Sequence, residues 1–325
     1  MRIFHAFSGL PPDARGAAVA LGNFDGVHRG HAAVIAAAAE AAHGRGIPLA
    51  ALTFEPHPRE VFRPSDPPFR LTLAEAKAEA LAALGVELLY ELRFDLAFSR
   101  MPAEAFIDTV LAEGLGARHL ACGPDFHFGH KRTGTAALLA TLGPAHGMGV
   151  SIVPEAAAPD GLTWSSTAVR DALKAGDCAR AAAILGRAWE IRGRVVRGSA
   201  LGRTLGFPTA NIPLGRHLAP RFGIYAVEAG LVDAAGQVAW HPGVASLGLR
   251  PTVNPLPEPL LEVHLFDLAA DLYGAAMRVR LHAFLRDEAR FETLEALVAQ
   301  MHQDATQARA LLASGLSGRG CGARL

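Results

Sequence analysis

Over roughly residues 17–185 the chain alternates short apolar runs with longer alanine- and leucine-rich runs, and after Gly186-Arg187 the alternation stops. In the first half, runs 17–21, 48–54, 88–92, 119–122 and 150–153 read as strands. Runs 31–42, 73–84, 103–113, 135–142 and 166–175 read as helices, with one more helix at 177–185. Strand–helix alternation predicts an α/β domain with a parallel sheet and right-handed crossovers. In the second half, 189–196, 223–230, 238–247, 260–266 and 277–285 read as strands with only turns between them. Closely spaced strands predict a small antiparallel β-barrel. Segment 291–312 reads as a closing helix, apolar at Leu294, Leu297, Val298 and Met301, before a Gly- and Ser-rich tail from Ser314. The expected domains are 1–186 and 187–325, and two domains suit a chain of 325 residues.

The first strand runs into Leu21-Gly22-Asn23-Phe24-Asp25-Gly26-Val27-His28-Arg29-Gly30-His31, and a helix leads out. Gly22, Gly26 and Gly30 permit close backbone approach. If the helix begins near His28, then His28 and His31 share one face at its positive end. Such a terminus suits an anionic phosphate group. Two histidines this close could also be zinc ligands, although no cysteine or third histidine lies nearby at a usual spacing.

Other segments fall where strands end or helices begin, which in a parallel sheet is where ligands bind. Two prolines stiffen Glu55-Pro56-His57-Pro58 and so hold His57. The loop from Gly123 to Gly134 carries Asp125, Phe126, Phe128, Lys131 and Arg132. Its rings could stack on a planar ligand or pin the loop to the core, and its cations could meet a phosphate. Trp164-Ser165-Ser166-Thr167-Ala168-Val169-Arg170 opens a helix, with hydroxyls that serve as a cap or as part of a phosphate clamp. In the second half, Gly202-Arg203-Thr204-Leu205-Gly206-Phe207-Pro208-Thr209-Ala210-Asn211 reads as a flexible phosphate-approaching loop. No G-K-[S/T] occurs in the chain, so a nucleotide must be held by another device. Thr209 and Asn211 offer hard oxygen ligands of the kind Mg²⁺ accepts beside ATP phosphates. Arg192 and Arg194 share one strand face and read as solvated. On the strand around 260–266, Glu262 and His264 point to one side and Val263 to the other.

The segment G-x-x-D-G-x-H-x-G-H resembles the phosphate-binding loop of the nucleotidylyltransferase superfamily. Its fuller form, GNFDGVHRGH, is similar to that of the bacterial bifunctional riboflavin kinase/FAD synthetase family. The E-P-H-P turn, the loop from Gly123 and Ser165-Ser166-Thr167…Arg170 match the same family in order. Residues 202–211 match the riboflavin kinase signature G-R-x-L-G-F-P-T-A-N nearly letter for letter. Further matches are Gly243-Val244-Ala245-Ser246-Leu247-Gly248-Leu249-Arg250-Pro251-Thr252, Glu262-x-His264, Asp271-Leu272-Tyr273-Gly274 and Phe284-Leu285-Arg286-Asp287-Glu288. Ser246 stands where asparagine is usual and loses an amide's dual donor and acceptor.

The resemblance implies a Rossmann-like nucleotidylyltransferase domain followed by a riboflavin kinase-like barrel. It implies phosphorylation of riboflavin by MgATP to FMN, then adenylylation of FMN by a second ATP to give FAD and pyrophosphate. The implied catalytic residues are Glu262 as the base of the kinase, and His28, His31 and Arg170 as neutralisers of phosphate charge. Gly22, Asn23, Asp25, Gly30, His57, Ser166, Thr167, Gly202, Thr209 and Asn211 are implied at nucleotide or phosphate sites. Asp125, Phe126, Phe128 and Arg286 are implied at flavin sites, and Thr209 and Asn211 at Mg²⁺.

A net charge of zero gives no reason to expect a nucleic-acid partner. The three scattered cysteines argue against a disulfide framework or a zinc ribbon. With no apolar core at the N-terminus and no apolar run of membrane length, a soluble cytoplasmic enzyme is expected, its oligomeric state open. Three rival readings are a flavin-binding regulatory protein without turnover, a zinc protein using His28, His31 and His57, and a nucleotidylyltransferase for another phosphorylated alcohol.

Overall fold

The computed structural model describes residues 1–155, 161, 163–198, 202, 205–233, 235–250, 258–268 and 270–317. Arg203-Thr204 and Pro251-Thr252 of the motifs above lie outside the described residues. By compactness the chain forms two units, residues 1–67 with 72–166, and residues 68–71 with 167–325. The change in sequence pattern comes some twenty residues later, at Gly186.

The first unit is built on a six-stranded, wholly parallel sheet. Its strands are β1 (Arg2–Phe4), β2 (Ala18–Leu21), β3 (Leu49–Glu55), β4 (Leu88–Arg93), β5 (His119–Cys122) and β8 (Gly149–Ile152). A short hairpin, β6 (His127–Phe128) and β7 (Gly134–Thr135), lies between β5 and β8 in the chain. The spatial order is β1-β4-β3-β2-β5-β8, so the chain steps away from β2 in one direction through β3 and β4, then resumes on its other side at β5. The loops leaving β2 and β5 therefore border the topological switch, where open α/β sheets bind ligands.

Successive side chains of β2 enter different cores: Val19 and Leu21 on one face, Ala18 and Ala20 on the other. Helices α1 (Arg29–Arg45) and α3 (Ala74–Ala83) cover the second face with Ile35, Ala38 and Leu81. The first face is covered by α4 (Ala103–Ala105), its π-helical continuation Phe106–Gly114, and α5 (Ala136–Leu142). Burial on both faces explains why these strands are apolar runs rather than alternating ones. The edge strand β1, the β6–β7 hairpin and the one-and-a-half-turn helix α2 (Pro58–Phe62) escaped the sequence reading. All are too short for a periodic signal. The π-helical winding of Phe106–Gly114 also departs from the α-helix expected there.

The second unit opens with α6 (Ser166–Ala175) and α7 (Cys178–Leu185). An antiparallel sheet follows: β9 (Trp189–Arg194), β10 (Ala210–Pro213), β11 (Gly223–Val232), β12 (Val238–Arg250), β13 (Glu258–Leu265) and β14 (Ala276–Arg286). The order is β10-β13-β12-β11-β14-β9, and a bridge between Val196 and Asn211 joins the two edges. That closure makes the sheet the expected small barrel and leaves little open edge. One buried face carries Tyr225, Val227, Ala245, Leu247, Leu261 and Val263. On the other, α8 (Leu294–Ser317) packs Ala308 and Leu312 against Ala226, Val244 and Phe266.

Two expectations are corrected. Ala210 and Asn211, read as the end of a flexible loop, instead begin strand β10, because β13 supplies its hydrogen-bonding partner from about fifty residues away. The tail expected from Ser314 continues as helix to Ser317. Cys122 and Cys178 are free and buried, and burial pushes their thiols up to about 11 and about 12, marking them as packing residues rather than nucleophiles.

Candidate active sites

The loop between β2 and α1 is anchored at several points. Asp25 is buried, and its Oδ1 accepts from the Thr72 backbone N–H at 3.0 Å, while Gly26 N–H donates to Thr72 Oγ1 at 2.9 Å. Thr53 Oγ1 donates to the Asn23 carbonyl at 3.1 Å. Phe24 and Val27 adopt positive φ (51° and 43°), a conformation that side chains other than glycine rarely hold without such anchoring. Asp25 thus shapes the loop with its carboxylate turned to Thr72.

His28 is the N-cap of α1 and His31 its third residue, and they cap each other. His31 N–H donates to His28 Nδ1 and His28 N–H donates to His31 Nδ1, both at 3.3 Å. The rings stack with centroids 3.6 Å apart. Because both Nδ1 atoms accept from backbone, each neutral ring carries its proton on Nε2. The chain therefore sets two stacked imidazoles at the positive end of a 17-residue helix.

The serine motif meets this loop. Ser166 Oγ donates to the Asp25 carbonyl at 2.8 Å. A Cβ at Gly30 would lie 2.7 Å from the Trp164 carbonyl oxygen and 3.1 Å from the His28 ring, so glycine is required there by contact rather than by φ. Thr167 is exposed, and Arg170, one turn along α6, donates Nε to the Phe69 carbonyl at 3.0 Å.

Beside the loop is a cavity of about 570 Å³. Asn23 and His57 line it, with an aromatic floor from Phe54, Phe94, Phe98 and Phe128. Arg59, Arg63, Lys131 and Arg132 also contribute to its lining. His57 is the N-cap of α2; its Nδ1 accepts from Arg59 N–H at 3.1 Å, and its own N–H donates to Glu60 Oε2 at 3.0 Å. Lys131 and Arg132 both hold positive φ (54° and 61°), which turns the chain sharply at the cavity edge. Of the residues expected at flavin from this loop, Phe128 lines the cavity. Phe126 stacks on Phe128 at 5.8 Å, and Asp125 is exposed, its carbonyl 2.7 Å from His127 Nδ1. The phenylalanines from β3 and from residues 94–98 were not singled out from sequence, because only the parallel pairing of β3 with β4 brings them together.

In the second unit the register aligns one row across four neighbouring strands. Asn211 pairs with Glu262, Glu262 with Ser246, Ser246 with Ile224, and Ile224 with Arg286 beyond. Directly paired residues project from the same face of a sheet. Asn211, Glu262, Ser246 and Ile224 line a cavity of about 210 Å³, closed by Leu297, Met301 and Asp304 of α8. Gly202 and Thr209 line it too, and the Gly202 carbonyl accepts from Phe207 N–H at 2.8 Å. Arg286 is engaged by α8: it donates to both Asp304 oxygens at 2.9 and 2.7 Å. A second cavity of about 270 Å³ is lined by Ala210, Asp271 and Tyr273, among others, and Thr209 lines both.

Asn211 is only 3 % exposed, and among the described residues its Oδ1 has no hydrogen-bond partner. A buried amide oxygen left unpaired costs about 1–3 kcal/mol, a debt that a bound cation would remove. Among the described residues no three His, Cys, Asp or Glu side chains converge as a metal-ligand set. Among them, too, no helix is long and apolar enough to cross a membrane.

The FAD synthetase family pattern matches residues 10–168, and the riboflavin kinase pattern matches 185–312. A bifunctional riboflavin kinase/FMN adenylyltransferase of Pseudomonas fluorescens is 44 % identical over 96 % of this chain and 98 % of its own. The protein of the same description from Escherichia coli K12 is 42 % identical, covering 95 % and 96 %. Among solved structures, a Streptococcus pneumoniae protein described as a macrolide-efflux protein superposes with a TM-score of 0.83 at 30 % identity, over 94 % of this chain and 98 % of that one.

Proposed function

The chain belongs to the bifunctional riboflavin kinase/FMN adenylyltransferase family, and on that premise we propose how its residues divide the two reactions. The protein phosphorylates riboflavin with ATP to give FMN, then transfers AMP from a second ATP to FMN, giving FAD and pyrophosphate. Residues 187–325 carry the first step and residues 1–186 the second. The strongest support is the row Asn211–Glu262–Ser246, which sets an amide oxygen, a carboxylate and a hydroxyl on one wall of a single cavity.

In the kinase step, riboflavin occupies the cavity under α8 and ATP the one lined by Asp271 and Tyr273. Thr209, common to both, marks where the phosphoryl group crosses. Glu262 accepts the proton of the primary hydroxyl as the hydroxyl oxygen bonds to the γ-phosphorus and the bond from that phosphorus to the β,γ-bridging oxygen breaks, releasing ADP. Mg²⁺ would be held by the Asn211 amide oxygen and the Thr209 hydroxyl, completed by phosphates and water, and would offset phosphate charge.

Adenylyl transfer needs no base, because the FMN phosphate is already an anion. It needs alignment and charge stabilisation at the α-phosphorus. His28 and His31 supply this through their Nε2–H groups, and the α1 terminus adds its backbone donors, with Ser166 beside the same loop. The flavin ring lies in the aromatic cavity, its phosphate toward Lys131 and Arg132. Gly30→Ala is expected to lower FAD formation at least tenfold and leave FMN formation unchanged, since a displacement of about 1 Å at a reacting group costs up to about 100-fold.

Chromatography of flavins after incubation with riboflavin, ATP and Mg²⁺ tests the whole reading. FMN should appear first and FAD after it. FMN that never becomes FAD would remove the second activity, and unchanged riboflavin would leave a binding protein.

A further inference from the structure

Lys77 is one of only three lysines among 31 basic residues, and it is fully buried. A buried ammonium is costly unless it is paired and hydrogen-bonded. Its Nζ lies 3.2 Å from Thr53 Oγ1, 3.4 Å from the Phe54 carbonyl and 3.4 Å from Glu55 Oε2. Three acceptors around one point suit an ammonium and not the planar fork of arginine. Thr53, also fully buried, passes the contact on: its hydroxyl accepts from Lys77 and donates to the Asn23 carbonyl at 3.1 Å. Glu55 ends β3 two residues before His57. Both Asn23 and His57 line the aromatic cavity, and Lys77 does not.

We propose that Lys77 is a positioning residue for FMN adenylylation: its buried ammonium, acting through Thr53 and Glu55, holds the two loops that present Asn23 and His57 to the cavity. The proposal rests on the adenylyl-transfer reading of this unit. It extends the arrangement at Thr72, five residues earlier, which grips Asp25 and Gly26 of the same loop. The segment from Thr72 to Lys77 thus holds the β2–α1 loop at Asn23, Asp25 and Gly26.

The test uses the full chain with Lys77→Met, Thr53→Val and the double substitution. Amide hydrogen exchange at residues 22–28 should rise at least tenfold in both single variants, and at 55–62 in Lys77→Met, with β9–β14 unchanged. The KM for FMN in adenylylation should rise at least tenfold while riboflavin phosphorylation keeps its wild-type rate. The double variant should match Lys77→Met alone, because Lys77 acts on Asn23 through Thr53 and the two changes break the same chain of contacts. Wild-type exchange and KM in a folded variant would overturn the proposal. So would multiplicative losses in the double variant, or a uniform rise in exchange across the unit with an unchanged KM, which marks a merely stabilising lysine. If Lys77→Met does not fold, Thr53→Val decides alone. If the wild-type protein makes no FAD, the functional reading fails, and local exchange still decides whether Lys77 holds the loops.

Discussion

Glu262→Gln is expected to abolish FMN formation while FAD formation from supplied FMN continues at the wild-type rate. Glutamine keeps the volume and hydrogen-bonding capacity of the side chain but cannot take a proton. The loss should lie at about 10²–10⁴-fold in kcat, the usual contribution of a positioned base. Glu262 is half-buried in mid-sheet, paired with Asn211 on one side and Ser246 on the other, so the substitution disturbs no core packing. Rates of the two half-reactions, measured separately with riboflavin and with FMN, check it. A loss below tenfold, or an equal loss of FAD formation, would remove Glu262 from the role of base.

The second large effect is at His28, where two roles must be separated. As N-cap its Nδ1 accepts from His31 N–H, a contact worth about 0.5–2 kcal/mol, and its Nε2–H is the proposed phosphate donor. His28→Ala removes both. His28→Asn keeps a good cap but cannot reach with a second nitrogen. Both variants are expected to lose FAD formation by about 10²–10³-fold, the scale for removing one donor to developing charge. FMN formation should be spared, and thermal melting should fall for alanine and hold for asparagine. FAD formation that survives in the asparagine variant would make the histidine only a cap.

Much of this was legible locally. The strand–loop–helix turn at residues 21–31 was readable because an apolar run, glycines and a helix-forming run follow one another directly. The reciprocal capping of His28 and His31 needs only their three-residue spacing at a helix start. The strand direction of Glu262 followed from period-2 alternation, and Leu261, Val263 and Leu265 are indeed its buried neighbours. By contrast, Arg286 was singled out as a flavin contact on a motif match, while in the fold its guanidinium is engaged by Asp304, a pairing with no local signature.

The two architectures and the order of the motifs were set locally, because periodicity, turn residues and spacing act over a few residues. Long-range pairing made Ala210–Pro213 a strand, aligned Asn211, Glu262 and Ser246 in one row, and gathered Phe54, Phe94 and Phe128 as the floor of one cavity. It also decided that Lys77, one of the few lysines in an arginine-rich chain, lies buried against Thr53. These depend on strand pairing and burial between residues tens of positions apart, and no local propensity encodes which distant partner will supply the missing hydrogen bond or counter-charge.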